Sequence, residues 1–230
     1  MRPVAYVITC EHAGNRIPSW CLPLFEKHQR LLATHRAFDA GAYETARQMA
    51  RFFAVPLFAT KISRLVIDCN RSLGSTHLFS PITRPLPFHK KNMLRKHYYE
   101  PYRTAVEAHL FRLVQRYRVY HFSIHSFTPV KNGVRRTNDI GLLYDPKRVY
   151  EKHLCMMMQQ EMHRHDPALR IRYNYPYRGI ADGFTRYLRT VFLPEEYCGI
   201  EIEINQKGMK KRAWNRRLAA MLGRAIRTVR

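Results

Sequence analysis

The 230-residue sequence predicts an α/β layered fold built on a mixed, largely parallel sheet, and three observations carry that prediction. Apolar, β-branched runs at Val4–Ile8 and Val119–Ile124 have the length of buried strands, and each leads into polar residues that include a histidine. Helical periodicities fill the chain between such runs, as strand–helix–strand units require. The stretch Gly199–Asn205 alternates strictly, which sets Ile200, Ile202 and Ile204 on one face and Glu201 and Glu203 on the other. A chain of this length can bury one sizeable core, so a single domain spanning residues 1–230 is expected.

Taken in order, the first strand runs into Thr9-Cys10-Glu11-His12-Ala13-Gly14. His12 therefore stands at the carboxyl end of a strand, the edge of an open α/β sheet where ligands bind. Pro23–Leu32 carries apolar residues at helical spacing. Asp39 precedes the amphipathic run Tyr43, Ala46, Met49, Ala50 and Phe53, where it can cap a helix or serve a site. Val55–Thr60 reads as a short strand and Arg64–Arg71 as another, its apolar centre bracketed by Arg64 and the Asn70-Arg71 pair.

Ser72–Lys91, broken by Pro81, Pro85 and Pro87, is a loop long enough to cover a site. Asn92–Arg118 is the longest helical pattern, with Leu94, Tyr98, Tyr102, Ala105, Leu110, Leu113 and Val114 inward and a break at Pro101. A strand then delivers His125 much as the first delivers His12. A basic turn at Lys131–Asp139 precedes a strand at Ile140–Tyr144. Tyr150–His163 is a helix whose run Met156-Met157-Met158 suits core packing better than metal. Asn174–Gly179 reads as a turn, and Lys210–Arg227 as a closing amphipathic helix with Trp214, Leu218, Met221, Leu222 and Ala225 inward.

Lysine and arginine outnumber acids 40 to 17, a net charge of +23. Such a balance favours anionic partners: nucleic acid, anionic lipid or an acidic small molecule. The basic residues are spread among apolar positions, which excludes a disordered basic tail. Five cysteines without a CxxC pair, no apolar leader after Met1 and no membrane-length apolar stretch point to a cytoplasmic protein with reduced thiols and no membrane contact.

A catalytic zinc centre needs about three protein ligands, usually histidines plus a carboxylate, and an open position. His12 and His125 with Asp39 or Glu11 supply that donor set.

Cys10-Glu11-His12-Ala13-Gly14-Asn15 with Ile17-Pro18, Asp39-Ala40-Gly41, Ser63–Asp68 followed by Asn70-Arg71, and His125–Pro129 form an ordered series. Arg136 before Asp139-Ile140-Gly141, Asn174–Tyr177 before Gly179, and Glu203-Ile204-Asn205 continue it. From about Val4 to Asn205 the series resembles the motifs of the N-formylglutamate amidohydrolase family. The resemblance implies a three-layer αβα sandwich similar to zinc carboxypeptidases, a bound Zn2+ or other divalent metal, and hydrolysis of the amide bond of an N-formyl or N-acyl amino acid. Position by position it makes His12, Asp39 and His125 metal ligands and Glu203 the carboxylate that activates water. It also makes Arg64, Asn70 and Arg71, together with Arg136, the groups that hold substrate carboxylate.

The leading expectation is thus a metal-dependent amidohydrolase acting on a small carboxylate-bearing amide. The alternative is a basic nucleic-acid-binding protein on a decayed hydrolase scaffold. A decayed site has no reason to keep His12, Asp39, His125 and Glu203 together, and all four are present. Glu203 is expected as the base because it lies nearer the carboxyl end of its strand, with Glu201 paired to an arginine.

Overall fold

In the computed structural model, which describes residues 2–208 and 212–228, strand β1 (Val4–Cys10) is followed by the short helices α1 (Leu22–Phe25) and α2 (Gln29–Leu32). Helix α3 (Ala42–Phe53) and strand β2 (Leu57–Ala59) come next, then α4 (Phe88–Leu94), a π-helical turn (Arg95–Tyr99) and α5 (Glu100–Val114). Strand β3 (Arg118–Phe127) precedes a hairpin of β4 (Val130–Lys131) and β5 (Val134–Arg135). Strand β6 (Ile140–Leu143), helix α6 (Val149–His165), β7 (Ile171–Tyr173), α7 (Phe184–Val191), β8 (Tyr197–Asn205) and α8 (Arg212–Thr228) complete the order.

Among the described residues the main sheet has six strands in the order β2-β1-β3-β8-β6-β7. Strands β2, β1, β3 and β8 run parallel, and β6 joins β8 antiparallel, which makes the sheet mixed and largely parallel. Helices α3, α6 and α8 cover one face, where Ile8, Phe122, Ile124 and the three isoleucines of β8 are buried. Helices α5 and α7 pack with Val7, Val119 and Tyr197 on the other. The fold is an αβα sandwich, and the alternation of β8 separates its faces as the period of two requires.

Several elements differ from the sequence expectations for identifiable reasons. Arg64–Arg71 is a series of turns instead of a strand. The Ser63 hydroxyl accepts the N–H of Leu65, and Asp68 Oδ1 accepts the N–H of Asn70, and such local side-chain bonds compete with a β-ladder. Asp39 does not cap α3, whose N-cap is Gly41. The long helical pattern begins earlier, at Phe88, and the π turn inserts a residue into it. Leu94, Leu110 and Val114 are buried as expected, whereas the shift exposes Ala105 and buries Arg103 and Val106.

The basic turn is a tight hairpin. Asn132 and Gly133 both take positive φ, the conformation that two-residue loops of this kind need. Helix α7, unexpected from the sequence, buries Phe184 and Leu188 at i and i+4, an apolar pair too short to set a helical period of its own. Met158 is buried while Met156 is exposed, so the methionine run fills the core only in part. In α8, Leu218, Met221, Leu222 and Ala225 are buried as expected, whereas Lys210 and the Trp214 side chain lie outside what is described. All five cysteines are buried and unpaired, and no described helix is long and apolar enough to cross a membrane.

Candidate active site

Three adjacent parallel strands, β1, β3 and β8, bring polar groups to one edge of the sheet. His12 lies just past β1, and His125, on β3, stands in register with Glu203 on β8. Residues two apart on a strand share a face, so Ser123 and His125 on β3 and Glu201 and Glu203 on β8 all look away from the isoleucine layer. A cavity of ≈ 240 Å³ opens there. Its wall includes His12, Asp39, Arg64, Asn70, Arg71, His125 and Glu203, seven residues singled out in the sequence. Glu201, Asp182, Lys131, Arg178 and His35 join them.

The loop after β1 and the start of α3 are tied together, since the Asp39 N–H donates to the His12 carbonyl (3.0 Å). Asp39 Oδ2 thereby comes to 2.9 Å from His125 Nδ1 and 3.4 Å from His12 Nδ1, and the two Nδ1 atoms are 3.2 Å apart. His12, Asp39 and His125 form a group that could hold a metal ion. Ligand atoms at zinc bond lengths of about 2.0–2.1 Å in a tetrahedron lie about 3.3 Å apart, and the three observed separations bracket that value.

The outward ring nitrogens are held as well. His12 Nε2 donates to Asp68 Oδ1 (2.7 Å), and His125 Nε2 lies 2.8 Å from Ser123 Oγ and 3.2 Å from Glu11 Oε2. Glu11 therefore sits behind His125 and Asp39 in front of it, which decides where each acid stands relative to the cluster. Asp68 plays toward His12 the part that no sequence expectation assigned to it.

Electrostatics reflect the crowding of acceptors. Burial opposes ionisation of Asp39, but Arg64 and the two histidines hold its carboxyl well below the usual range. Burial lowers His125, yet its bonds to Asp39 and Glu11 outweigh that and raise it well above an ordinary histidine. Glu203 is pushed up to about 8, chiefly by burial, with His125 pulling the other way.

Arg64 donates to Asp39, and Arg71 to the carbonyl of Asp182. Asn70 Oδ1 accepts the Phe184 N–H (2.7 Å), which commits the amide oxygen and leaves the NH2 group as a donor. Glu203 Oε2, Arg64 Nε and Arg71 Nε are buried without hydrogen-bond partners, and all three residues line the cavity. Arg136 is the one site residue from the sequence that the fold does not bring to the wall. Its guanidinium lies over the rings of Phe127 and Tyr177, which themselves line the cavity. Glu201 accepts the Thr185 hydroxyl (2.5 Å) instead of an arginine, because Arg189 is already paired with Glu151 (2.9 Å).

Fold and cavity together define an α/β protein whose buried polar groups converge at the carboxyl edge of a parallel sheet, the position where such sheets bind ligands. The chain belongs to the N-formylglutamate amidohydrolase family, whose sequence profile matches residues 4–209. A gene product of Agrobacterium tumefaciens is similar in structure, with a TM-score of 0.82 at 28% identity over 99% of this chain and 90% of that one. The N-formylglutamate amidohydrolase from Ralstonia eutropha JMP134 shares the fold, with a TM-score of 0.69 at 17% identity over 99% and 96%. No curated protein matches the sequence.

Proposed function

We propose that this chain is a divalent-metal-dependent amidohydrolase that removes a formyl or other acyl group from the nitrogen of a small carboxylate-bearing amino acid. The observation that carries this reading is the convergence of His12 Nδ1, His125 Nδ1 and Asp39 Oδ2 beside the partnerless Glu203 Oε2 in one cavity. Two imidazoles and a carboxylate suit zinc, and the same donors accept other first-row divalent ions. When bound, such an ion would polarise the scissile carbonyl and lower the pKa of the attacking water.

The chain's own residues supply the rest. Glu203 takes a proton from water and returns it to the departing nitrogen, and burial, which raises its pKa above that of an ordinary carboxyl, favours its holding the proton between the two transfers. Arg64, Arg71 and Asn70 offer donors to the substrate carboxylate, charge-assisted in the two arginines. Lys131 and Arg178 add positive charge to the wall. Arg136 supports the wall through Phe127 and Tyr177.

The test is metal analysis of purified protein combined with a screen of N-formyl and N-acyl amino acids, before and after chelation. The expected result is one divalent ion per chain and amide hydrolysis that chelation abolishes and metal restores. Absence of both stoichiometric metal and hydrolysis across the screen would overturn the proposal.

A further inference from the structure

Glu11 is a buried acid that the cavity chemistry does not use. It immediately precedes His12, it is 1% exposed, and it is absent from the cavity wall. A carboxylate in that position is costly unless donors surround it. Three do: Tyr102 donates its hydroxyl to Oε1 (2.8 Å), Ser123 donates to Oε2 (2.5 Å), and His125 Nε2 lies 3.2 Å from Oε2.

Proton counting gives this arrangement a direction. A serine hydroxyl has one hydrogen, and Ser123 spends it on Glu11, an acceptor only. Ser123 Oγ must then accept at its 2.8 Å contact with His125 Nε2, so Nε2 carries hydrogen. On the singly protonated ring, the form a metal needs, this leaves the Nδ1 lone pair facing His12 and Asp39. On the other imidazole a single direct acceptor, Asp68, does the same work. His125 relies on a longer chain that reaches helix α5, because Tyr102 lies just past Pro101 and the π turn that resets the phase of that helix.

We propose that Glu11, Ser123 and Tyr102 form a positioning assembly that fixes His125 with hydrogen on Nε2 and thereby makes Nδ1 the metal-binding atom. This rests on the metal-dependent reading above, and none of the three residues touches substrate. Tyr102 couples the seat of α5 to metal affinity, so the helix and the centre cannot move independently.

The experiment measures zinc affinity of the full-length chain by competition with a chromophoric chelator, for wild type and for Glu11→Gln, Ser123→Ala, Ser123→Thr and Tyr102→Phe. Long-range 1H–15N NMR of the zinc-loaded protein reports which His125 nitrogen carries hydrogen. Glu11→Gln and Ser123→Ala are expected to weaken zinc binding about 10- to 100-fold, the usual effect of losing such a partner. Tyr102→Phe should weaken it less, and Ser123→Thr, which keeps the hydroxyl, should restore it. The Nε2–H signal of His125 should be sharp in wild type and lost or broadened in Ser123→Ala. Should Glu11→Gln fail to fold, Ser123→Ala and Tyr102→Phe decide. Wild-type zinc affinity in the folded variants, or hydrogen on Nδ1 in the wild type, overturns this assembly alone. No zinc binding by wild type overturns it together with the metal-dependent reading.

Discussion

His12 and His125 present their Nδ1 atoms to each other across 3.2 Å, and each ring has its Nε2 engaged with a different acceptor. Both Nδ1 atoms and Asp39 Oδ2 converge on one point, where a cation would meet all three donors at once. We therefore expect His12→Ala and His125→Ala each to abolish stoichiometric metal. Asp39→Asn should weaken binding while leaving the helix start intact, because Gly41 and not Asp39 is the cap of α3. Elemental analysis after gel filtration checks this. Unchanged metal content in both histidine variants would place the ion elsewhere.

The charge of the chain leads to a second expectation. Six acids, Glu11, Asp39, Asp68, Glu151, Glu201 and Glu203, are buried, so the surface is more one-sided than the composition. No acid lies between Asp68 and Glu100, a stretch that contains Arg84, Lys90, Lys91 and Lys96. Non-specific DNA or RNA retention should appear at low salt and fall steeply as salt rises, as counterion release requires. A filter-binding series against salt measures it. Binding that survives high salt would make nucleic acid a specific partner.

How far the sequence anticipates the site depends on what positions each residue. His12, His125 and Glu203 are legible because strand periodicity and the carboxyl edge of a parallel sheet determine where their side chains go. Asp39, Arg64, Asn70 and Arg71 reach the same cavity through turns and loop contacts; donor chemistry left Asp39 level with Glu11, and only the resemblance to ordered motifs pointed to the other three. Asp68 and Tyr102 bond residues far away in the chain, 56 positions for Asp68 and His12 and 91 for Tyr102 and Glu11, and Ser123, though only two residues from His125, is tied to Glu11 across 112. No local pattern encodes such a contact. Tyr102 was legible as an inward residue of its helix, but its partner Glu11, 91 positions away, was not.

A third expectation concerns His121, which is fully buried between Thr9 Oγ1 (2.8 Å) and the Tyr197 hydroxyl (2.6 Å). Burial holds its pKa down at about 4 against 6.5 for a free histidine. Between those values the unfolded chain binds the proton and the folded chain does not, so stability rises with pH across the window. The contribution is intact above pH 6.5 and is lost as pH falls toward 4, by roughly 3 kcal/mol in all. Urea unfolding of wild type and His121→Gln from pH 7 to pH 4 isolates it. The gap between the two should narrow as pH falls, and a gap independent of pH would rule the effect out.

The last expectation separates two carboxylates on one strand. Glu201 and Glu203 share a face of β8 and both line the cavity, so orientation does not choose between them. Their partners do. Glu201 Oε1 accepts the Thr185 hydroxyl at 2.5 Å, a bond that anchors it to α7, while Glu203 Oε2 is buried with no partner and stands in register with His125. An unpartnered buried acceptor beside a cluster that could hold a metal ion is available for a proton, and an anchored one is not. Glu203→Gln should lower kcat by ~10²–10⁴-fold, the range for loss of a general base, with metal content and melting temperature near wild type. Glu201→Gln keeps an oxygen for Thr185 and should cost far less. Steady-state kinetics on a substrate found in the acyl amino acid screen decides it: near wild-type turnover in Glu203→Gln with loss in Glu201→Gln would transfer the role to Glu201.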